Sequence, residues 1–206
     1  MSCLSAGAAV QHPGTACRSR SLAFDDKAAG WTHVPLSKLK RDTVYGVARE
    51  EGRSVLRATA DRSASFYAAR VQPALQTPMT LQWEWMTEAL VPGADNRDKS
   101  AEDAPLRVLV AFDGDVAGLP EVERKRFSRA RNLARRDIPY AVLMYIWTDH
   151  VPVGTVIPSA HTSQVKMMAV ASGTVGLGAG SRSGATSPTT TGRPMARSRG
   201  RWWASR

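Results

Sequence analysis

The chain has 206 residues, enough for one domain with a real core, and 43% of them are hydrophobic, which argues against wholesale disorder. The net charge of +10 suggests nucleic acid until it is located: residues 1–22 and 173–206 hold eight arginines and no acid, which leaves +2 for residues 23–172. No apolar run reaches the ~18 residues of a membrane helix.

Residues 1–22 read as an unstructured N-terminal segment. They make a poor signal peptide, because no basic region precedes the apolar stretch and Gln11, His12 and Pro13 end it. Cys3 and Cys17 match neither a zinc spacing nor a disulfide framework. Thr43–Glu50 and Arg53–Ala60 read as a hairpin turned at Glu51-Gly52. Ser63–Gln72 is a third strand, and Pro73 and Pro78 bracket the connector to a fourth, Met79–Met86. Pro105–Phe112 is a fifth, with its proline at the strand start, where a missing N–H is tolerated. Residues 120–136 form the one helical stretch, with Pro120 in its first turn and a modest stripe of Val122, Phe127, Ala130 and Leu133-Ala134. Tyr140–Trp147 and Val165–Ser172 complete the strands. Residues 23–172 are therefore expected to be mainly β: an antiparallel β-sandwich, jelly-roll-like, with one surface helix.

Residues 173–206 show no periodicity, only Gly, Ser, Thr, Pro, Ala, Arg and Trp with a few other residues. They read as a disordered basic tail or as an out-of-frame translation of GC-rich DNA. Moving the frame by one nucleotide from Ala179 admits a charge-balanced helical stretch, a turn and a valine-rich strand start. The out-of-frame reading is the preferred one, and it removes the tail from any functional argument.

Alternation along strands places side chains two apart on one face. Val108, Val110 and Phe112 oppose Arg107, Leu109 and Ala111; Trp83 and Trp85 oppose Glu84; Tyr145 and Trp147 oppose Met144 and Ile146. If these strands pair, one face is aliphatic. The other is expected to gather Trp83, Trp85, Arg107, Tyr145 and Trp147 as a platform for a sugar or a planar ligand. For any single tryptophan, filling the core is the simpler reading. Asp103 is the natural partner of Arg107, and a purely structural pair explains it as well as a ligand contact does.

The segments GWTHVPL, VLRATADRSAS, LQWEWM, DAPLRVLVAF, PYAVLMYIW, PVGTVIP and MMAVASG, in this order over residues 24–178, resemble a bacterial family called domain of unknown function 3047. The resemblance implies a β-sandwich, usually exported, with no established activity. It points to Arg57, Ser63, Ser65, Trp83, Trp85, Asp103, Arg107, Tyr145, Trp147 and Ser172 as the matching polar and aromatic positions. Phe66-Tyr67 departs from the family's small-then-aliphatic pair. The family's final strands are missing, which implies an unpaired edge and an uncovered core face.

Three readings follow. The first is a non-catalytic binding module for a glycan or other small ligand, using Trp83, Trp85, Asp103, Arg107, Tyr145 and Trp147. The second is a glycoside hydrolase with Glu84 and Asp103 as paired carboxylates. The third is a nucleic-acid binder using the tail and the helical residues Arg124, Lys125, Arg126, Arg129, Arg131, Arg135 and Arg136. The first is preferred. No motif calls for a cofactor, and His12, His33, His150 and His161 show no metal-ligand spacing.

Overall fold

The structure, a computed structural model, describes residues 21–24, 30–71, 80–134, 137–179, 181–186 and 202–205. Cys3, Cys17, His12, the Pro73–Pro78 connector, Arg135 and Arg136 lie outside these residues. The described chain is mainly β, with a single helix and no closed barrel. Its elements are β1 (Trp31–Pro35), β2 (Val44–Glu50), β3 (Arg53–Thr59), β4 (Ser65–Val71), β5 (Thr80–Trp85), β6 (Arg107–Phe112), α1 (Glu121–Ala134), β7 (Ala141–Thr148), β8 (Val156–Pro158), β9 (Val165–Ser172), β10 (Ser181–Thr186) and β11 (Trp202–Ser205).

The strands form one large sheet and two small ones. The large sheet runs β1-β4-β11-β6-β7-β9-β8. Among the described residues β2 pairs only with β3, and β5 only with β10. The β2–β3 hairpin closes on Glu51 and Gly52, both at positive φ (50° and 77°), the conformation that a tight two-residue hairpin demands. Arg53 of β3 forms an ion pair with Glu84 of β5 and so links the two small sheets.

All pairings within these sheets are antiparallel except one. β7 runs parallel to β9, with a register shift between Ile146 and Trp147. The expected all-antiparallel order fails here because residues 149–164 form a crossover, long enough to return the chain in the same direction. A strand with two parallel-sheet faces to fill needs a continuous apolar run, and Ala141–Thr148 supplies one. Its last four residues are buried on both sides of the sheet.

Two clusters form the core, one on each face of β6 and β7. Trp83, Trp85, Val108, Val110, Tyr145 and Trp147 make the first. Ala104, Ile146, Val151, Ile157, Met167 and Ala169 make the second. α1 contributes no buried residue to either. Its N-terminus is anchored by Ser163, whose hydroxyl donates to Glu123 at 2.9 Å, and by Arg124, which donates to the Ala117 carbonyl at 3.1 Å.

Candidate functional site

Four of the six residues singled out from the sequence converge. Trp83 and Trp85 of β5 lie 5.5 Å apart, ring to ring, at 81°. Trp83 meets Tyr145 at 5.1 Å, and Trp85 meets Trp147 at 6.0 Å. They form a continuous quartet between the large sheet and β5, and they are buried: Trp83 is 7% exposed, Trp85 6%, Tyr145 3% and Trp147 0%. Burial pushes the Tyr145 hydroxyl above its ordinary pKa.

The Trp147 indole donates to the Gly173 carbonyl at 2.9 Å. Gly173 adopts φ 71° and donates its own N–H to Thr148 O, so the turn that accepts this bond is built on a residue free to take positive φ. The indole N–H groups of Trp83 and Trp85 are buried without a hydrogen-bond partner among the described residues.

Arg107 is not on this face. Val108 pairs across to Tyr145, and Arg107 pairs to Ile146, so Arg107 shares its face with the second cluster. The expectation of one face holding the arginine and the aromatics is corrected on this point. Alternation fixes which residues of one strand share a face, but the phase between strands is set by register, and register joins the valines to the aromatics. Asp103 is the partner of Arg107, at 2.6 Å, with the two side chains 57% and 30% exposed. Its Oδ1 also accepts from the Ala104 N–H, and its carbonyl accepts from Asn96 Nδ2. Glu84 alternates with the inward-facing Trp83 and Trp85 and is held by Arg53. Glu84 and Asp103 therefore sit on opposite sides of the large sheet. Sheets pack about 10 Å apart, and a carboxylate on each outer side of that stack does not make the close pair a glycosidase uses.

A second group of rings, not anticipated from the sequence, lies at the β1 end of the large sheet. Trp31 and Tyr67 stack at 6.0 Å with planes 4° apart, and Tyr67 and Tyr45 stack at 5.2 Å and 24°. Phe24, which is buried, closes one end against Trp31 at 4.8 Å. His33 approaches Tyr45 at 6.0 Å at the other. Trp31, Tyr67 and Tyr45 are each half-buried. The register Trp31↔Ala69 and His33↔Tyr67 puts the β1 and β4 rings on one face, and β2 brings Tyr45 to them.

This ladder is fixed from beneath and rimmed by polar groups. The Tyr45 hydroxyl donates to the Ser65 carbonyl at 2.7 Å, and the Thr43 N–H donates to Ser65 Oγ at 3.0 Å. Burial, opposed by hydrogen bonds to Ser65 and Thr43 and reinforced by Asp42, raises the Tyr45 pKa. Beside the rings stands His33, 3.9 Å from Asp42; Arg41, whose carbonyl accepts from the Ala64 N–H, donates to Asp61 at 3.1 Å. The side chains of Arg41 and Asp61 are each 67% exposed. The arrangement combines ring faces with exposed donors and acceptors, which is the composition of a site for a polar ring. In the sequence, Trp31 in GWTHVPL and the Phe66-Tyr67 pair were the visible signals. They are far apart in the chain, and only the β1–β4 and β2 pairings join them.

A family model for a protein of unknown function, DUF3047, matches residues 29–182. The chain belongs to this family. The DUF3047 match takes in the ladder rings Trp31, Tyr45 and Tyr67, the buried quartet, the Asp103–Arg107 pair and α1. No curated protein and no solved structure matches the chain. No helix among the described residues is long and apolar enough to cross a membrane.

Proposed function

We propose that this DUF3047 domain is a non-catalytic binding module that holds a ring-shaped polar ligand, a sugar in the first instance, on the Trp31–Tyr67–Tyr45 ladder. The observation that carries the reading is the half-buried stack itself, with His33 and Asp42 beside it. Apolar sugar faces lie on aromatic rings, and neighbouring hydroxyls need fixed donors and acceptors. The quartet of Trp83, Trp85, Tyr145 and Trp147, with the Asp103–Arg107 pair on the far face, then acts as scaffold. The test is a broad glycan panel read by intrinsic tryptophan fluorescence. A saturable change with at least one glycan, lost in Trp31→Ala, is expected. Silence across the panel would count against the reading.

The same proposal takes residues from about Ala179 onward as out-of-frame. It is supported by the absence of any acid in residues 173–206 and by a family match that ends at residue 182. Deep resequencing of the gene across this region tests it, and a missing or extra nucleotide near codon 179 is expected. An intact frame would overturn it and leave Trp202–Ser205 as a genuine strand between β4 and β6.

A further inference from the structure

We infer that the outer flank of α1 is a docking stripe for an anionic phospholipid surface. Val122, Arg126, Arg129 and Leu133 follow one another at spacings of four, three and four residues, so they form a single row along the helix. The row is roughly 16 Å long at the ordinary helical rise.

Its two apolar ends face solvent, Val122 61% exposed and Leu133 88% exposed. Between them stand two arginines. Arg126 is held by Glu123 at 3.0 Å with its side chain 65% exposed, and Arg129 engages no partner among the described residues. The side of the helix turned toward the body is a different one, marked by the half-buried Phe127 and Ala134 and by Glu123, only 20% exposed.

Over Glu121–Ala134 five basic side chains stand against two acidic ones, a net +3. The pairs Lys125–Glu121 and Arg126–Glu123 neutralise both acids locally and Arg131 pairs with Asp137 just past the helix, which leaves Arg124 and Arg129 as the helical cations without a carboxylate among the described residues. A helix with no fully buried residue gains little stability from carrying Leu and Val on its solvent side.

Charge complementarity calls for an anionic partner, and the mixed row narrows its chemistry. Phosphate groups receive the arginines, and the acyl boundary beneath them receives Val122 and Leu133. A nucleic-acid backbone would use the arginines and leave both apolar side chains in water.

The test is flotation of the full chain with vesicles of equal parts phosphatidylglycerol and phosphatidylcholine, against vesicles of phosphatidylcholine alone. Binding to the anionic vesicles only is expected. Arg126→Gln and Arg129→Gln should each weaken it on the order of fivefold, and Leu133→Asp by a similar factor. The variants lie at exposed positions, so thermal midpoints should hold and show that folding is intact. No flotation with anionic vesicles overturns the inference. So does flotation undiminished in all three variants, since the terminal arginines would then carry it. Binding to a DNA duplex without binding to vesicles also overturns it, in favour of a nucleic-acid contact.

Discussion

The buried quartet and the half-buried ladder are both built of aromatic rings and meet different fates. β5 lies over the β7 end, and Trp147 loses all contact with water. At the β1 end the covering element supplies only Tyr45, which joins the stack and leaves it half open. Residue type does not separate a core from a binding surface here. The reach of the second layer does.

The sharpest way to break this comparison is to remove one ring from each group. Trp147→Ala should destabilise the domain by about 3–5 kcal/mol, because it empties a fully enclosed site, and denaturant melts would show it. Trp31→Ala should leave folding largely intact and weaken glycan binding by about 2 kcal/mol, roughly thirtyfold. If Trp31→Ala unfolds the domain as Trp147→Ala does, the two groups are one core.

Within the quartet, the indole groups differ in their bonds. Trp147→Phe leaves the Gly173 carbonyl without its donor, whereas Trp83→Phe removes a donor that has no partner. Trp147→Phe should therefore cost about 1–3 kcal/mol more than Trp83→Phe in paired melts. Equal costs would mean that Trp83 finds an acceptor in solution.

Tyr45 and Tyr145 sharpen the comparison by pH. Both hydroxyls are raised above 10.0 mainly by burial. Above that value the unfolded chain loses these protons first, so its proton count falls below that of the folded state and stability declines as pH rises. The contribution of these two groups should be level from neutral pH to about pH 10 and melting temperatures should fall beyond it, and Tyr145→Phe should blunt the fall. The smallest effect is expected at the Asp103–Arg107 pair. Asp103→Asn should cost no more than about 1 kcal/mol in the same melts, because both partners meet solvent.

Much of the fold was legible. The strand runs from Thr43 to Ser172 follow the two-residue period or a continuous apolar run, and β2 to β7 and β9 appear within a few residues of their expected bounds. Pro120 with Glu121 and Glu123 marked the start of α1. β1 was missed because Trp-Thr-His-Val-Pro is short, polar at its centre and ends in proline. The parallel β7–β9 pair was missed because direction depends on the crossover at residues 149–164, which carries no periodic signal. For the site, alternation brought Trp83, Trp85, Tyr145 and Trp147 together but could not give their burial. It misplaced Arg107 because strand phase is a tertiary property.

The most direct test uses the tryptophan indole N–H resonances of the protein. Four of the tryptophans report from the two regions: Trp31 from the ladder, and Trp83, Trp85 and Trp147 from the core. On titration with a glycan that the panel identifies, the Trp31 resonance should shift saturably while the three core resonances stay in place. Movement of the core indoles with Trp31 unchanged, or no movement with any glycan, would contradict the assignment of the ladder as the binding face.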